Sequence, residues 1–309
     1  MTNQFRAPDR AAVPLRIRAA PAGDLTIGRR GGRRQASIPT LLARKGYWQL
    51  GRAQQSIDGT DFLGTCRANG KLTMADLDVL CWLCERYREA RRVDGTVSFT
   101  VYELGRDLHS RAAGGREAEL MRASLDRIKA VVLYLDGKDL CHASPALGSA
   151  VNIVDILVDR ASVLPDPGAR RMLRGDRFTA KLAPWFLAEV DAKRVTYLDW
   201  RILRELDGLA KRLWVYLEAE SFKRISGIGR GYSWVAIGHK AYCALGLTFA
   251  QERGARRALR QAGKAICDVD RSYEDIEVVR HPNGKGWRLA AIRLSAEGQK
   301  VRDAGGLPF

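Results

Sequence analysis

The chain has 309 residues, 46% hydrophobic and 28% charged, a globular composition long enough for two cores of about 100 to 150 residues each. Its 52 Lys and Arg outnumber 35 Asp and Glu, a net +17, and a surplus of that size points to a polyanionic partner, nucleic acid first. No apolar run reaches the roughly 18 to 20 residues of a membrane span, and no apolar leader with a small-residue cleavage site opens the chain. Six cysteines in so long a chain are too sparse for a disulfide framework, so reduced thiols, a cytoplasmic setting and no membrane partner are expected.

Residues 1 to 60 hold eleven Lys or Arg against three Asp, a net +8, with Pro8, Pro14, Pro21, Pro39 and the run Gly28 to Arg34. Apolar periodicity is too thin there for independent folding, and a disordered basic arm is expected, with Tyr47 to Leu50 as a docking hint. From Thr73, an N-cap, the spacing of Leu77, Leu80, Cys81, Cys84 and Tyr87 predicts a helix to about Arg91. A short strand at Val97 to Phe99 leads into Thr100-Val101-Tyr102-Glu103, a capping box that opens a helix over about 101 to 109. A third helix is predicted over about 116 to 130, with Met121, Leu125 and Ile128 on one side. A hairpin follows, from Val131 to Leu135 and from Lys138 to His142.

Strands are predicted at Val151 to Val158, Phe178 to Leu182 and Val195 to Leu198, with Pro165 to Gly168 as an exposed loop. The first order of elements then recurs. Helices are predicted over Leu206 to Phe222 and Ser233 to Leu245, and a third opens at the capping box Thr248 to Gln251 and ends near Cys267. Strands at Glu274 to Arg280 and Trp287 to Leu294 flank the Gly-rich turn Pro282 to Gly286. The expected fold is α+β: two tandem winged-helix domains, each a helix-turn-helix with a β-hairpin wing. The boundaries are an arm over 1–60, a first domain over 61–175 that includes connecting strands, a second over 176–296 and a tail over 297–309.

The third helix of the second copy carries the clearest chemistry. Ala255, Ala258, Leu259, Ala262 and Ile266 share one side, while Arg253, Arg257, Arg260 and Lys264 share the opposite one, with Arg256 at its flank. Such a helix suits a major groove, where arginine reads guanine bidentately and cations neutralise phosphates. Further cations expected at DNA are Lys223, Arg224, Arg230 and Lys240, and Arg280, Lys285 and Arg288 of the wing. In the first copy, Arg116, Arg127 and Lys138 of the hairpin are also expected at DNA, but Arg116 and Arg127 are mixed with Glu119 and Asp126, so unequal modules are expected. Tyr232, Trp234 and Trp287 read as core aromatics in preference to base-stacking ones.

Enzymatic chemistry has no support in the residues. His109, His142, His239 and His281 form no His-x-His pair, and Gly284-Lys285-Gly286 is no phosphate-cradling loop. Asp76-Leu77-Asp78 on a helix directs its carboxylates apart, Asp268-Val269-Asp270 ends a helix, and Cys81 and Cys84 read as a buried thiol pair. No catalytic residue, cofactor or metal is expected.

Leu72 to Tyr87, the segment Ser98-Phe99-Thr100-Val101-Tyr102-Glu103-Leu104-Gly105-Arg106-Asp107-Leu108 and Leu120 to Leu135 closely resemble the first winged helix of plasmid replication initiators of the TrfA type. Leu198 to Phe222, with Leu209-Ala210-Lys211-Arg212-Leu213-Trp214, resembles the helix opening that family's second module, and the similarity spans about residues 62 to 294. The resemblance implies a non-catalytic initiator that binds double-stranded origin repeats (iterons), promotes origin opening and recruits the host initiator and replicative helicase. It further implies a main reading helix over Arg253 to Lys264, a wing over Arg280 to Arg288, and a homodimer contact through the first domain. No Gln-Leu-x-Leu-Phe clamp-binding motif stands in the arm, a departure from the family. A winged-helix transcription regulator on a palindromic operator, and a nucleic-acid chaperone acting through the arm, stay open beside it.

Overall fold

The computed structural model describes residues 35–50, 57–61, 63–90, 94–109, 115–135, 150–159, 177–220, 223–224, 230–247, 252–281, 283–284 and 286–294. Most of the expected arm, the Pro165 to Gly168 loop, the Thr248 to Gln251 capping box, Lys138, Lys285 and the 297–309 tail lie outside the described residues.

The part of the arm that is described is folded, which corrects its expected boundary at residue 60. Strand β1 (Gln35–Pro39) runs antiparallel to β9 (Val195–Asp199), with Gln35 opposite Asp199 and Pro39 opposite Val195. The one-turn helix α1 (Thr40–Arg44) buries Leu41, Leu42 and Ala43, and Tyr47 and Trp48 beyond it are fully buried. The Trp48 indole N–H donates to the Leu42 carbonyl at 2.7 Å, so the ring's polar atom is satisfied inside the core. Strands β2 (Ile57–Asp61) and β3 (Gly64–Ala68) form a hairpin. A local reading misses this segment because its partner strand lies some 160 residues away.

Helix α2 (Met74–Ala90) starts where a reciprocal cap requires it: the Thr73 N–H donates to Asp76 Oδ2 at 2.7 Å, and Thr73 Oγ1 accepts from the Asp76 N–H at 3.4 Å. The same device opens α3 (Val101–His109) directly after β4 (Thr96–Thr100), with the Thr100 N–H on Glu103 at 2.7 Å and the Glu103 N–H on Thr100 Oγ1 at 3.1 Å. Helix α4 (Gly115–Ala130) packs on α2 and α3 through Ala118, Met121, Leu125 and Ile128. The strand after it, β5 (Val132–Tyr134), pairs with β3 and with β6 (Ala150–Asn152), so the hairpin expected over 131–142 is corrected: the partner arm is 150–152. Strand β7 (Val154–Asp159) pairs with β8 (Arg177–Leu182), which pairs in turn with β4, and Phe99 stacks on Phe178 with ring centroids 6.0 Å apart. The domain boundary expected at 175 therefore falls between two neighbouring strands of one sheet.

Helix α5 (Pro184–Asp191) and the short α6 (Trp200–Glu205) bracket β9. Helix α7 (Gly208–Glu218) is buried along nearly its whole length and lies against α1, α2 and β9. Strands β10 (Lys223–Arg224) and β11 (Arg230–Ile237), helices α8 (His239–Leu245) and α9 (Glu252–Val269), and the strands β12 (Tyr273–Arg280) and β13 (Trp287–Leu294) complete the chain. Residues 233 to 237, expected as part of a helix, belong to β11. Ser233, Val235 and Ile237 are buried while Trp234 and Ala236 are exposed, an alternation that only a pleated strand gives. The sheet order is β10-β11-β13-β12, all antiparallel. The molecule is thus a mixed α+β fold of small antiparallel sheets in which the order helix, strand, two helices and two strands (α2 to β6) recurs from α7 to β13 with one added short strand, β10.

Buried polar groups stitch these elements together. Lys211 of α7 pairs with Asp78 of α2 at 2.9 Å, and burial still raises the Asp78 pKa against that cation. Cys81 and Cys84 are buried thiols, as expected; burial lifts the first well above its ordinary value and the second to about 11. Tyr273 donates to Glu218 at 2.8 Å and Arg293 to the same carboxylate at 2.9 Å, tying β12 and β13 to the end of α7.

Arg212 of α7 is fully buried. Its guanidinium donates to the Ala43 carbonyl (2.5 Å), the Lys45 carbonyl (2.9 Å) and the Ala244 carbonyl (2.6 Å), which stand at the C-terminal ends of α1 and α8. Helix C-termini carry partial negative charge and unpaired acceptors, so one planar fork satisfies both ends. Replacing Arg212 by Lys keeps the charge and loses the fork. The unfolding free energy should fall by about 2 kcal/mol in a urea titration, because at least one buried carbonyl is left without a donor; an unchanged midpoint would remove Arg212 from this role.

Candidate nucleic-acid interface

Helix α9 is amphipathic by sequence and placed accordingly. Ala255, Leu259, Ala262 and Ile266 are buried, and Arg253, Arg257, Arg260 and Lys264 are exposed on the opposite side. Gly263 lets the helix lie close to β12: a Cβ at that position would sit 2.6 Å from the Ile276 carbonyl oxygen, too near for any side chain. Arg253, Arg257 and Lys264 have no ion-pair partner among the described residues. Arg260 donates to the Val278 carbonyl at 3.4 Å, a long bond that leans its side chain toward β12.

The flank of the helix meets the end of the hairpin at Trp287. The Arg256, Arg280 and Arg260 guanidinium carbons lie 4.5, 4.7 and 5.8 Å from the centre of the Trp287 ring. Arg280 and Trp287 are direct cross-strand partners in the β12–β13 register, which puts them on one face of the sheet. Arg256, whose side chain is 19% exposed, also pairs with Glu252 one turn earlier at 3.2 Å. Trp287, read from sequence as a core aromatic, is half-buried under this cluster.

On the opposite face of the sheet, Trp234 is 42% exposed, which corrects its reading as a core residue. His281 meets its ring edge-on with centroids 5.8 Å apart, and the Arg288 guanidinium lies 6.0 Å from its centre. Arg288 is only partly exposed, and its Nε is buried with no hydrogen-bond partner among the described residues. Lys240 and His239 are exposed in the first turn of α8. The backbone of Lys223 and Arg224 forms β10, the edge strand of the same sheet, and Arg230 opens β11 beside it.

Helix α4 occupies the corresponding place in the first half and presents a different surface. With Met121, Leu125 and Ile128 matched to Ala255, Leu259 and Ala262, the stripe opposite the core reads Glu119, Ala123, Asp126 and Ala130 where α9 has Arg253, Arg257, Arg260 and Lys264. Arg116 is exposed, and so is Leu120, at 55%. Arg127, expected at DNA, is corrected: it grips the fully buried Asp76, with Nη2 at 2.8 Å and Nε at 3.1 Å. Asp76 also accepts from the Thr73 N–H and the Ser124 hydroxyl, while Asp78 faces Lys211, so the two carboxylates of that motif serve different elements. Asp270 is buried under the Trp214 indole N–H at 2.9 Å, and Asp268 is exposed.

Among the described residues, no group of three or more His, Cys, Asp or Glu is placed to hold a metal ion, and no helix is long and apolar enough to cross a membrane. No protein-family model and no curated protein matches the sequence. A crystal structure of domain 2 and domain 3 of RctB is similar over 84% of this chain and 99% of its own, at 14% identity and a TM-score of 0.47.

The placement of Arg127 separates it from the α9 cations by experiment. Arg127→Ala should lower the unfolding free energy by about 2 kcal/mol, since it strips a buried carboxylate of its cation while the Thr73 and Ser124 donors remain. Duplex DNA affinity of the folded variant should stay within about twofold of wild type. A loss of DNA affinity with unchanged stability would return Arg127 to the interface.

Proposed function

We propose that the chain is a sequence-specific, double-stranded DNA-binding protein that initiates plasmid replication. In this reading it is built as two tandem winged helices, and the second is the main reader. The observation that carries the reading is the exposed row of Arg253, Arg257, Arg260 and Lys264 on α9, set beside a β-hairpin whose Arg280 extends the same charge. An α-helix with a cationic outer face fits the major groove, and a hairpin beside it meets the flanking backbone. The β10-β11-β13-β12 order supports the winged-helix description, because the strand before the helix pair lies against the second arm of the hairpin that follows it.

The step from DNA binding to initiation rests on the resemblance of residues 62 to 294 to the TrfA-type initiators. From it come the iterons, the opening of an origin, and the recruitment of a host initiator and replicative helicase. The first unit has the weaker claim to DNA, since its equivalent stripe is acidic and alanine-rich. Its exposed Leu120 suits a protein contact, including a second copy of the chain. No covalent chemistry is assigned to any residue.

The test is selection of duplexes from a randomised library by the full chain, followed by footprinting on the DNA around its own gene. Enrichment of one motif, found there as tandem repeats in one orientation, is the expected result. A single palindrome would make the protein a regulator, and no enrichment would overturn sequence-specific reading. Arg257→Glu should weaken binding to the selected duplex by about a hundredfold or more, by losing a groove contact and adding a repelled charge. Failure of a plasmid carrying that substitution to replicate would tie the helix to initiation.

A further inference from the structure

Three guanidinium groups over one indole have only two ring faces to share, so at least two of them stand on the same side of Trp287. Their distances to the ring, 4.5, 4.7 and 5.8 Å, bring every pair within roughly one Debye length at 0.1 M salt. One carboxylate offsets them, Glu252 on Arg256, and neither Arg260 nor Arg280 has an ion-pair partner among the described residues. The cluster therefore carries a local excess of positive charge, held by packing and not by counter-ions. Two of the cations come from the helix and one from the hairpin, so the ring lies where helix and hairpin meet.

We propose that Trp287 with Arg256, Arg260 and Arg280 forms a socket for one phosphodiester group of the DNA backbone, at the junction of α9 and the hairpin. The proposal rests on the DNA-binding reading above and divides the cations of α9 by task. Arg256 and Arg260 hold the backbone, which sets the register of the helix without conveying sequence. Arg253, Arg257 and Lys264 are left to face the groove. Planar guanidinium groups suit the socket because they stack on the indole with one surface and present parallel N–H donors to phosphate oxygens at their edge.

The experiment uses the full chain and a duplex it has selected from a randomised library, remade as a set with a single neutral methylphosphonate at each backbone position in turn. Wild type should show a position where neutralisation weakens binding about tenfold. Arg280→Gln should lose about tenfold on the unmodified duplex and nothing more when that phosphate is neutral, the non-additivity of two partners in one contact. Its preference among base sequences should be unchanged. Trp287→Leu should behave alike, with circular dichroism and a melting curve establishing that it is folded; Arg280, being exposed, keeps the test valid should Trp287→Leu fail to fold. Full retention of wild-type phosphate sensitivity in Arg280→Gln would overturn the socket while leaving DNA binding intact. Failure of the wild type to select any duplex would overturn both.

Discussion

The position of the cationic helix depends on one buried cation that never meets solvent. Arg212 joins the C-terminal carbonyls of α1 and α8 to the middle of α7, and the two chain segments it bridges touch so closely that side chains are excluded. A Cβ at Gly246 would lie 2.2 Å from the Trp48 carbonyl oxygen, and Gly246 also takes the positive φ of +66° that ends α8. Helix α8 is thereby seated on the 40–48 segment, and α9 starts a few residues later. A buried guanidinium is costly to desolvate unless its donors are met, and carbonyls at helix ends are acceptors with no partner of their own. The two terminal nitrogens of Arg212 and the three carbonyls answer each other.

From that fixed point the two halves of the chain diverge in what they present. Both place a 16- to 18-residue helix after a short helix and before a strand, and both bury one stripe of it. The scaffold does not determine the outer stripe. In α9 it is cationic; in α4 it is acidic or alanine, and Arg127 at its flank is tied inward to Asp76. Opposite charge on equivalent faces makes simultaneous reading of DNA by both helices unfavourable, since Glu119 and Asp126 would face phosphate. The net charge of +17 is thus unevenly placed, with a cationic stripe on α9 and none on the equivalent face of α4.

Features held by contacts three or four residues apart were legible in the sequence: the N-cap at Thr73, the capping box at Thr100, the faces of α4 and α9, and the β12–β13 hairpin. Features that depend on distant partners were not. The 35–50 segment looks like part of a basic arm until β9 and Arg212 supply its partners. Residues 233 to 237 carry apolar side chains at spacings that continue into α8, so a helical count runs straight through the turn at Gly238; the alternation of exposure appears only once β13 is alongside. Arg127 has the same chemistry as Arg257, and only the burial of Asp76 tells them apart. Trp287 gave a fair signal in its own right, an indole at a strand start with arginines on both neighbouring elements, but three cations converging on it is a matter of register and of helix packing.

That convergence is the least expected feature energetically. Two guanidinium carbons 4.5 and 4.7 Å from one ring centre are at most about 9 Å apart, and at that limit two like charges repel by about 2 kcal/mol at an effective dielectric of 20 and by about 0.5 kcal/mol in water. Stacking on an indole returns about 0.5 to 1 kcal/mol per cation at a partly exposed site, which offsets part of that repulsion. A phosphate entering it meets donors that are already oriented and charges that are already concentrated, and the repulsion that burdened the empty site becomes attraction to the ligand. The cost of arranging the groups falls on folding. In the proposed reading, affinity comes from preorganised backbone contacts and discrimination stays in the few side chains left to face the bases.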